Sequence, residues 1–367
     1  MEKVLNILAI NPGSTSTKIG FFHNTETVFT KNIAHSAEEL AKYPNIPDQL
    51  DFRTAAVLDT VKENGIDIST VDAFVGRGGG LMPCPGGVFE ITEKVLADAK
   101  AAVSGAHHPA ELASQICAQL IAKYGGKGFI VNPPDTDEFQ DLARITGLKG
   151  VYRESRIHAL NQKEIALRYC AANGVKYEEQ NLIIAHLGGG ISITAHRCGK
   201  MVDSNDILAG EGPLTPTRVG ALPTTFVLKM AQKEDPAALK AKLTKKGGLI
   251  DHFGTDDARV VENAALAGEK YPKLVYDAMI YQIGKYIGEM ACVLKGKVDA
   301  IILTGGMAHG KYLTDLVKEY TGWIAPVVVM AGEFEMEALA AGAYRVINGE
   351  EEAKVYTGIP PFTGFDF

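Results

Sequence analysis

Two stretches of this chain share one alternation of apolar and polar positions. Residues 6–22 read NILAINPGSTSTKIGFF, and residues 181–196 read NLIIAHLGGGISITAH. In each, a short apolar run typical of a buried strand breaks at a turn of glycines and small or hydroxyl residues, and an apolar alternation then resumes. The two copies begin about half of the 367-residue chain apart. The pattern predicts two strand–turn–strand hairpins, one in each half of a duplicated protein.

The other apolar runs predict strands and helices in alternation. The predicted strands are Leu5–Ile10, Lys18–Phe22, Ala73–Val75, Gly128–Asn132, Leu182–His186, Ser192–His196, Ala300–Thr304 and Val327–Met330. The predicted helices are Ala37–Lys42, Thr54–Asn64, Ala110–Lys123, Ala159–Ala172, Pro223–Gln232, Pro272–Lys295 and Phe334–Ile347. Strands and helices mixed in this way are typical of the α/β class.

The length of the chain predicts two domains, because 367 residues exceed one ordinary hydrophobic core. The glycine-flanked break at residues 147–150 and the start of the second hairpin place the boundary near residue 150. We therefore predict a first domain over residues 1–150 and a second over residues 151–335.

Composition and charge narrow the class of protein. Hydrophobic residues make up 46% and charged residues 22% of the chain, as in ordinary globular proteins. The net charge of −7 argues against nucleic acid or an anionic membrane as the main partner. Five scattered cysteines without a C-x-x-C pair indicate reduced thiols in a cytoplasmic protein. Neither a signal peptide nor a membrane span is expected from the apolar runs.

The first hairpin turn is a candidate phosphate-binding segment. No Gly-Lys pair is followed by Ser or Thr, so the sequence has no Walker A loop. A strand–glycine turn–strand hairpin nevertheless presents backbone N–H groups and hydroxyls at its tip, and these bind phosphate. The alternative is an ordinary hairpin loop. The candidate residues are Asn11, Gly13, Ser14, Thr15, Ser16 and Lys18.

The second turn and a later strand end carry further glycines. Gly188, Gly189 and Gly190 would let the backbone approach a ligand closely. His186 ends the preceding apolar run, and the alternative to a functional role is a hydrogen-bonded core histidine. Gly305 and Gly306 follow the strand ending at Thr304, where a base or sugar can lie against bare backbone, although a simple strand-to-helix turn fits as well.

An arginine between glycines completes the candidate segments. The run at residues 76–80 reads GRGGG, which leaves Arg77 little to pack against except a ligand. The alternative is a solvated surface arginine. If it faces a ligand, its planar group suits a carboxylate or a phosphate.

Taken together, these motifs resemble one family over essentially the whole chain. They are INPGSTSTKIG, VGRGGGL, NPPDTDEF, RESRIHALNQ, AHLGGGIS, DSNDILAGEGPLTPTR, ILTGGMAHG and EFEMEALA. In this order they resemble the acetokinase family of the acetate and sugar kinase/Hsp70/actin superfamily, and within it the butyrate kinases. Acetate kinases carry Asn where this chain has Gly189, which favours butyrate or a branched-chain acid.

The resemblance implies a fold and a reaction. The fold is α/β, with duplicated ribonuclease H-like, actin-like ATPase domains around a nucleotide cleft. A C-terminal helix over residues 336–367 would return to the first domain. The reaction is phosphoryl transfer between ATP and a short-chain carboxylate, with ATP/ADP and Mg²⁺, in a homodimer or higher oligomer. If the two domains close on the substrate, we further expect the acid's alkyl tail to lie in an apolar pocket near Arg77 and Pro83, built from both domains. Acetate or propionate kinase, a sugar kinase, or an actin- or Hsp70-like ATPase are the alternatives.

The resemblance also assigns roles to residues. Arg77 and Arg218 would flank the carboxylate and the phosphoryl group, and His186 would donate a hydrogen bond to a phosphoryl oxygen. Asn11 would face the phosphates and the metal. Either Glu335 or the neighbouring Glu333 would complete the metal site, and Glu335 matches better. Asp135 would position the metal or the reacting group. The alternative is that it caps a helix over Asp137–Leu142.

Overall fold

The computed structural model describes residues 3–105, 107–208 and 210–366. Its strands are β1 (Asn6–Pro12), β2 (Ser16–His23), β3 (Glu26–Ala34), β4 (Ala73–Gly76), β5 (Val88–Glu90), β6 (Lys127–Val131), β7 (Asn181–Leu187), β8 (Ile191–Arg197), β9 (Lys200–Ser204), β10 (Ala300–Thr304) and β11 (Val327–Val329). Its α-helices are α1 (Ala37–Leu40), α2 (Leu50–Glu63), α3 (Glu93–Ala101), α4 (Leu112–Tyr124), α5 (Asp141–Arg144), α6 (Ala159–Asn173), α7 (Thr224–Ala231), α8 (Pro236–Thr244), α9 (Leu249–Phe253), α10 (Ala258–Leu266), α11 (Lys270–Val293), α12 (Lys311–Thr321) and α13 (Glu335–Ile347).

All eight predicted strands are present, and the structure adds β3, β5 and β9. Each added strand lies at an edge of its sheet. An edge strand has one hydrogen-bonded neighbour and at least one open side, so it needs no continuous apolar run. β3 illustrates this, because most of its residues are exposed. The seven predicted helices are present as well, and α3, α5, α8, α9, α10 and α12 were not predicted.

The chain divides into two compact units. The first contains the described residues up to Asp137, then Ala159–Asn161, and the chain from Phe334 onward. The second contains Glu138–His158 and Gln162–Glu333. In this division residues 138–150, which the sequence analysis placed in the first domain, group with the second unit.

The sheets of the two units share one order of five strands, and the first sheet has β5 as a sixth strand at its edge. The first sheet is ordered β3-β2-β1-β4-β6-β5 and the second β11-β10-β7-β8-β9. In both, an antiparallel hairpin (β1–β2 or β7–β8) extends to a third antiparallel strand on one side. On the other side it extends to two parallel strands, β4 and β6 or β10 and β11. This repeated order is what a duplicated domain predicts.

The C-terminal helix packs on the sheet of the first unit. Residues of α13 share a buried cluster with residues of β1, β4, β5 and β6. The packing is close at Gly342, where a Cβ atom would lie 2.7 Å from Cγ2 of Val131. The N-terminal end of α13 therefore brings Glu335 to residues more than 250 positions earlier in the chain.

The second unit has its own hydrophobic core. The long helix α11 packs against the strands β7 and β8, and Met279, Ile283 and Ile287 on its inner face are fully buried. No helix in the described ranges is long and apolar enough to cross a membrane.

Candidate functional site

The first hairpin, which was predicted to bind phosphate, has an open tip. Asn11 pairs with Lys18 across β1 and β2, and the N–H of Gly13 closes the turn on the carbonyl of Ser16 at 2.7 Å. Ser14 and Thr15 are exposed at the tip. The hydroxyls predicted to face phosphate therefore lie outside the sheet's own hydrogen bonds.

Asn11, Arg77 and Glu335 lie together in the first unit. The amide of Asn11 donates to Oε2 of Glu335 at 2.8 Å, and Nη1 of Arg77 lies 3.2 Å from Oε1 of the same carboxylate. The Arg77 Nε–H is buried without a hydrogen-bond partner among the described residues. Three candidates that are distant in sequence thus meet at the carboxyl ends of β1 and β4, beside the first turn of α13.

The glycines after Arg77 allow the chain to turn sharply against the residues that precede α4. Gly79 has φ of 151°, and a Cβ atom there would lie 3.2 Å from Cβ of Ala110. Gly80 has φ of 72°, in the left-handed region that side chains disfavour. The N–H of Arg77 bonds to the carbonyl of Ile10, so this turn is tied to the first hairpin strand.

Asp135 supports the same loop. Its Oδ2 accepts a hydrogen bond from the N–H of Leu81 at 3.3 Å, and its carbonyl accepts from Cys84 at 3.0 Å. The alternative that it caps a helix over residues 137–142 is wrong. The nearest helix, α5, begins at Asp141 and has Gln140 as its N-cap.

His186 lies at the end of β7, in the middle of the second sheet. It pairs with Ser192 in β8 and with Thr304 in β10, and it is buried. Its Nε2 lies 3.8 Å from Oε1 of the half-exposed Glu333, and its ring stacks on that of His158 with centroids 4.1 Å apart. The histidine is therefore held on one face by a second ring while Nε2 points to the glycine turn, where a Cβ on Gly188 would be 3.3 Å away.

Arg218 packs directly against the second glycine turn. A Cβ atom on Gly190 would lie 2.8 Å from Cζ of Arg218, and closer still to Nη1. The Nε and Nη1 groups of this arginine are buried without hydrogen-bond partners among the described residues, and burial lowers its pKa. Glycine at position 190 leaves the guanidinium the space that a side chain would occupy.

Two threonines anchor the loop that carries Arg218. The hydroxyls of Thr215 and Thr217 both donate to the carbonyl of Gly189, at 2.7 and 2.9 Å. Thr215 Oγ1 also accepts from the N–H of Arg218 at 3.0 Å. The sequence analysis did not assign these roles, although both threonines stand in the TPTR motif that it quoted. The signal in the sequence was hydroxyl residues next to an arginine.

The two later glycines serve different purposes. A Cβ atom on Gly305 would meet the backbone nitrogen of Leu187 at 2.7 Å, so Gly305 allows β10 to approach the hairpin. Gly306 has no atom within 4 Å of such a position and lines a cavity of about 650 Å³. The other residues that line it are Gly188, Gly189, Pro216, Asp256, Asp257, Ala258, Arg259, Glu262, Tyr276, Met307, His309, Gly310 and Glu333.

The candidates therefore form two groups. Asn11, the tip of the first hairpin, Arg77, Asp135 and Glu335 belong to the first unit. His186, the second glycine turn, Arg218, Gly306 and Glu333 belong to the second. Among the described residues, no cluster of three or more His, Cys, Asp or Glu side chains could hold a metal ion.

Comparison with known proteins identifies the family of the chain. A family model described as the acetokinase family matches residues 151–322. Butyrate kinase 2 and butyrate kinase 1 of Clostridium acetobutylicum are 44% and 42% identical to this chain over 352 residues. Each alignment covers 95% of this chain and 99% of the relative.

The fold is also that of a known kinase structure. The crystal structure of Porphyromonas gingivalis acetate kinase superposes with a TM-score of 0.73 at 20% identity, covering 94% of this chain and all of that one. Together with the repeated strand order, this confirms the predicted α/β fold of duplicated, actin-like ATPase type. The chain belongs to the acetokinase family and is a kinase that transfers a phosphoryl group between ATP and a carboxylate.

Proposed function

We propose that the acceptor is butyrate or a branched acid of similar size, and that Arg77 and Arg218 stabilise the charge on the carboxylate and the transferring phosphoryl group. One observation carries the proposal: both arginines bury N–H groups that no described protein group accepts. A buried, unsatisfied donor is costly unless a ligand completes it. Anionic substrates supply the missing acceptors.

The chemistry requires positive charge more than it requires a base. A carboxylic acid is ionised at neutral pH, so the nucleophile needs no proton removed. The difficulty is to bring two anions together and to stabilise the charge on the phosphoryl oxygens. Two arginines and the hydrogen-bond donor His186 meet that need, and transfer is direct, without a covalent phosphoenzyme.

The group around Glu335 fits a magnesium ion. Mg²⁺ prefers oxygen ligands, keeps several waters, and is held by one or two carboxylates together with substrate phosphates. Glu335 lies against Asn11 and the first hairpin, whereas Glu333 faces His186 and the cavity of the second unit. We therefore propose Glu335, with Asn11, as the protein side of the metal site. The bound ion would neutralise charge on the phosphates.

The second unit holds the nucleotide in this proposal. The 650 Å³ cavity adjoins the glycine turn and has Gly306 and Met307 in its lining. Bare backbone and an apolar side chain suit a base, and the acidic side chains Asp256 and Glu262 can accept hydrogen bonds from ribose hydroxyls. The glycine turns would bind the phosphates through backbone N–H groups.

The loop after Arg77 supports an apolar acid tail. Leu81 and Cys84 are buried, while Met82 and Pro83 remain partly exposed beside them. Each methylene that such a surface removes from water contributes about 0.8 kcal/mol. The two additional methylenes of butyrate should therefore favour it over acetate by roughly ten-fold or more in kcat/KM.

The test is a competition between acids. Purified enzyme, ATP and Mg²⁺ are given equal concentrations of acetate and butyrate, and the acyl phosphates are trapped and counted. We expect butyryl phosphate to exceed acetyl phosphate at least ten-fold, with isobutyrate near butyrate. A preference for acetate would refute the assignment of the acid, while the carboxylate-kinase activity would stand.

Exposed apolar side chains support a homo-oligomer, the remaining part of the proposal. Helix α7 has no buried residue, and its Phe226 and Leu228 are 56% and 59% exposed. Large apolar side chains left exposed on one helix can be buried by a second copy of the chain. We expect sedimentation at the mass of a dimer or larger, and a monomer at micromolar concentration would contradict this.

A further inference from the structure

A fully buried arginine contacts the first hairpin at the point where β2 begins. Arg53, in α2, has no exposed surface, and its Nε donates to Oε1 of Gln49 at 3.0 Å. Its Nη1 donates to the carbonyl of Ser16 and to the hydroxyl of Thr17, both at 2.9 Å. The arginine therefore joins α2 to the strand that follows the first glycine turn.

The charge of Arg53 is not compensated by a carboxylate. Its three acceptors are neutral groups, and no carboxylate of the described residues forms an ion pair with it. Its Nη2 group is buried without a hydrogen-bond partner in the same part of the chain. Burial lowers the pKa of Arg53 to about 10, so the guanidinium still carries its charge at neutral pH.

The histidine next to this arginine does not change the charge of the group. Nε2 of His35 lies 2.9 Å from Oγ1 of Thr17, the hydroxyl that also accepts from Arg53. Burial and the charge of Arg53 lower the pKa of His35, so its ring is neutral at neutral pH. Arg53 therefore supplies the single formal charge of this hydrogen-bonded group.

An arginine of this kind is unfavourable for folding alone. A buried charge without a partner destabilises a protein, because the group loses its hydration and gains no ion pair in return. An apolar side chain of similar volume, such as methionine, would fill the same space without that loss. The placement of Arg53 is therefore better explained by an anion that approaches from outside the chain.

The turn next to Arg53 leaves backbone donors free for an anion. The Ser16 carbonyl accepts from the N–H of Gly13 as well as from Arg53, and the Thr15 carbonyl accepts from the backbone of the residue after β3. Ser14 and Thr15 are exposed, and their N–H groups donate to no group of the described chain. Carbonyls that would repel an anion are thus occupied, while two N–H groups can still bind one.

We propose that Arg53 is a positioning residue for the nucleotide phosphates. Its hydrogen bond fixes the Ser16 carbonyl, and its uncompensated charge attracts a phosphate to the N–H groups of the first turn. The phosphate then supplies the negative charge that the protein does not place beside the guanidinium. Arg53 acts through the turn and does not itself contact the nucleotide. This inference rests on the proposed binding of phosphate by the first hairpin.

The first arm of the test changes the charge and keeps the shape. Gln49→Glu in the full-length protein places a carboxylate oxygen where the amide oxygen now accepts from Nε of Arg53, so the guanidinium is neutralised and keeps its hydrogen bonds. Calorimetry gives the Kd of ADP with Mg²⁺, and displacement of ADP gives the Kd of adenosine, which has no phosphate. We expect the Kd of ADP to rise about ten-fold and that of adenosine to stay within about two-fold.

The opposite results are equally clear. An arginine with a merely structural role keeps every hydrogen bond in Gln49→Glu, so unchanged ADP binding by the folded variant would overturn the proposal. An equal loss of affinity for ADP and adenosine would also overturn it, because a charge effect must depend on the phosphates. Thermal unfolding without nucleotide shows whether the variant is folded.

The second arm compares two variants of Arg53 itself. Arg53→Lys keeps the positive charge and Arg53→Met removes it, while both lose the planar donor group. We expect Arg53→Met to bind ADP about ten-fold more weakly than Arg53→Lys, with the same adenosine affinity in both. Equal ADP affinities of the two variants would contradict the proposal. If either variant did not fold, Gln49→Glu would still decide, and the pair would decide if Gln49→Glu did not fold.

A further variant separates this inference from the function on which it rests. Lys18→Met changes the first hairpin itself, at the position that pairs with Asn11. If Lys18→Met weakened ADP binding and Gln49→Glu did not, the hairpin would bind phosphate and only the role of Arg53 would fail. If neither variant changed the affinity for ADP, the proposed binding of phosphate by the first hairpin would fail as well.

Discussion

The contact between Gly190 and Arg218 predicts how the enzyme responds when one methyl group is added at position 190. In Gly190→Ala, the new Cβ would lie 2.8 Å from Cζ of Arg218. Non-bonded heavy atoms pack at about 3.5–4.0 Å, and Nη1 lies closer to the new Cβ than Cζ does, so the guanidinium must retreat by more than 1 Å. Neither Gly190 nor Gly189 has a positive φ, so alanine fits the backbone at both positions.

The expected effect is on catalysis and not on stability. The displaced group is the flexible end of a side chain, so folding should be nearly unchanged. A misplacement of about 1 Å in a site of this kind can cost ~100-fold in rate. Loss of the whole donor would cost about 3–4 kcal/mol, which sets the upper limit. We expect kcat of Gly190→Ala to fall by roughly 30- to 300-fold.

Gly189→Ala is the matched control. It adds the same methyl group to the adjacent residue of the same turn, where the nearest atom, Cγ2 of Thr217, is 4.0 Å away. The guanidinium of Arg218 need not move in this variant, so its kcat should fall less than that of Gly190→Ala. Both variants are assayed by acyl phosphate formation and by thermal unfolding. Equal kcat values for the two variants, or a lower unfolding temperature for Gly190→Ala alone, would refute the reasoning.

Three further predictions follow from the same structure. Arg77→Ala should lower kcat by about 100- to 1000-fold, and Arg77→Lys should recover only part of the lost activity because the planar donor group is absent. Near-normal turnover in Arg77→Ala would show that the acid does not bind beside Arg77. His186 should carry no phosphate during turnover, so rapid-quench labelling with γ-³²P ATP should yield no competent phosphohistidine, and ping-pong kinetics would contradict direct transfer. His196 is kept neutral in the folded protein while an unfolded histidine protonates near pH 6.5, so it contributes stability above that pH that is lost as pH falls. Between pH 6.5 and 5, the free energy of unfolding measured with urea should therefore fall by about 1.5 kcal/mol less in His196→Gln than in the wild type. Parallel pH profiles of the two proteins would show that this histidine is not buried in its neutral form.

Local sequence patterns determined most of the strands and the segments that carry chemistry. A buried strand followed by a glycine turn is a contiguous signal, because burial sets the apolar run and the turn sets the glycines. This is why both hairpins, Arg77 and the glycines after β10 were found without the structure. β3 was missed because an exposed edge strand obeys no such pattern, and β5 and β9 because they are short, with three and five residues.

Contacts between distant residues were decided by the tertiary structure alone. Glu335, and not Glu333, lies beside Asn11 because α13 packs on the first sheet. The two glutamates are two positions apart at the start of this helix, so their side chains point to opposite sides. The hydrogen bonds from the Gln162 amide to the Ile184 carbonyl and the Ser192 hydroxyl likewise depend on where α6 meets β7 and β8. Such placements depend on how complete elements pack, and that information is spread over hundreds of residues instead of residing in one segment.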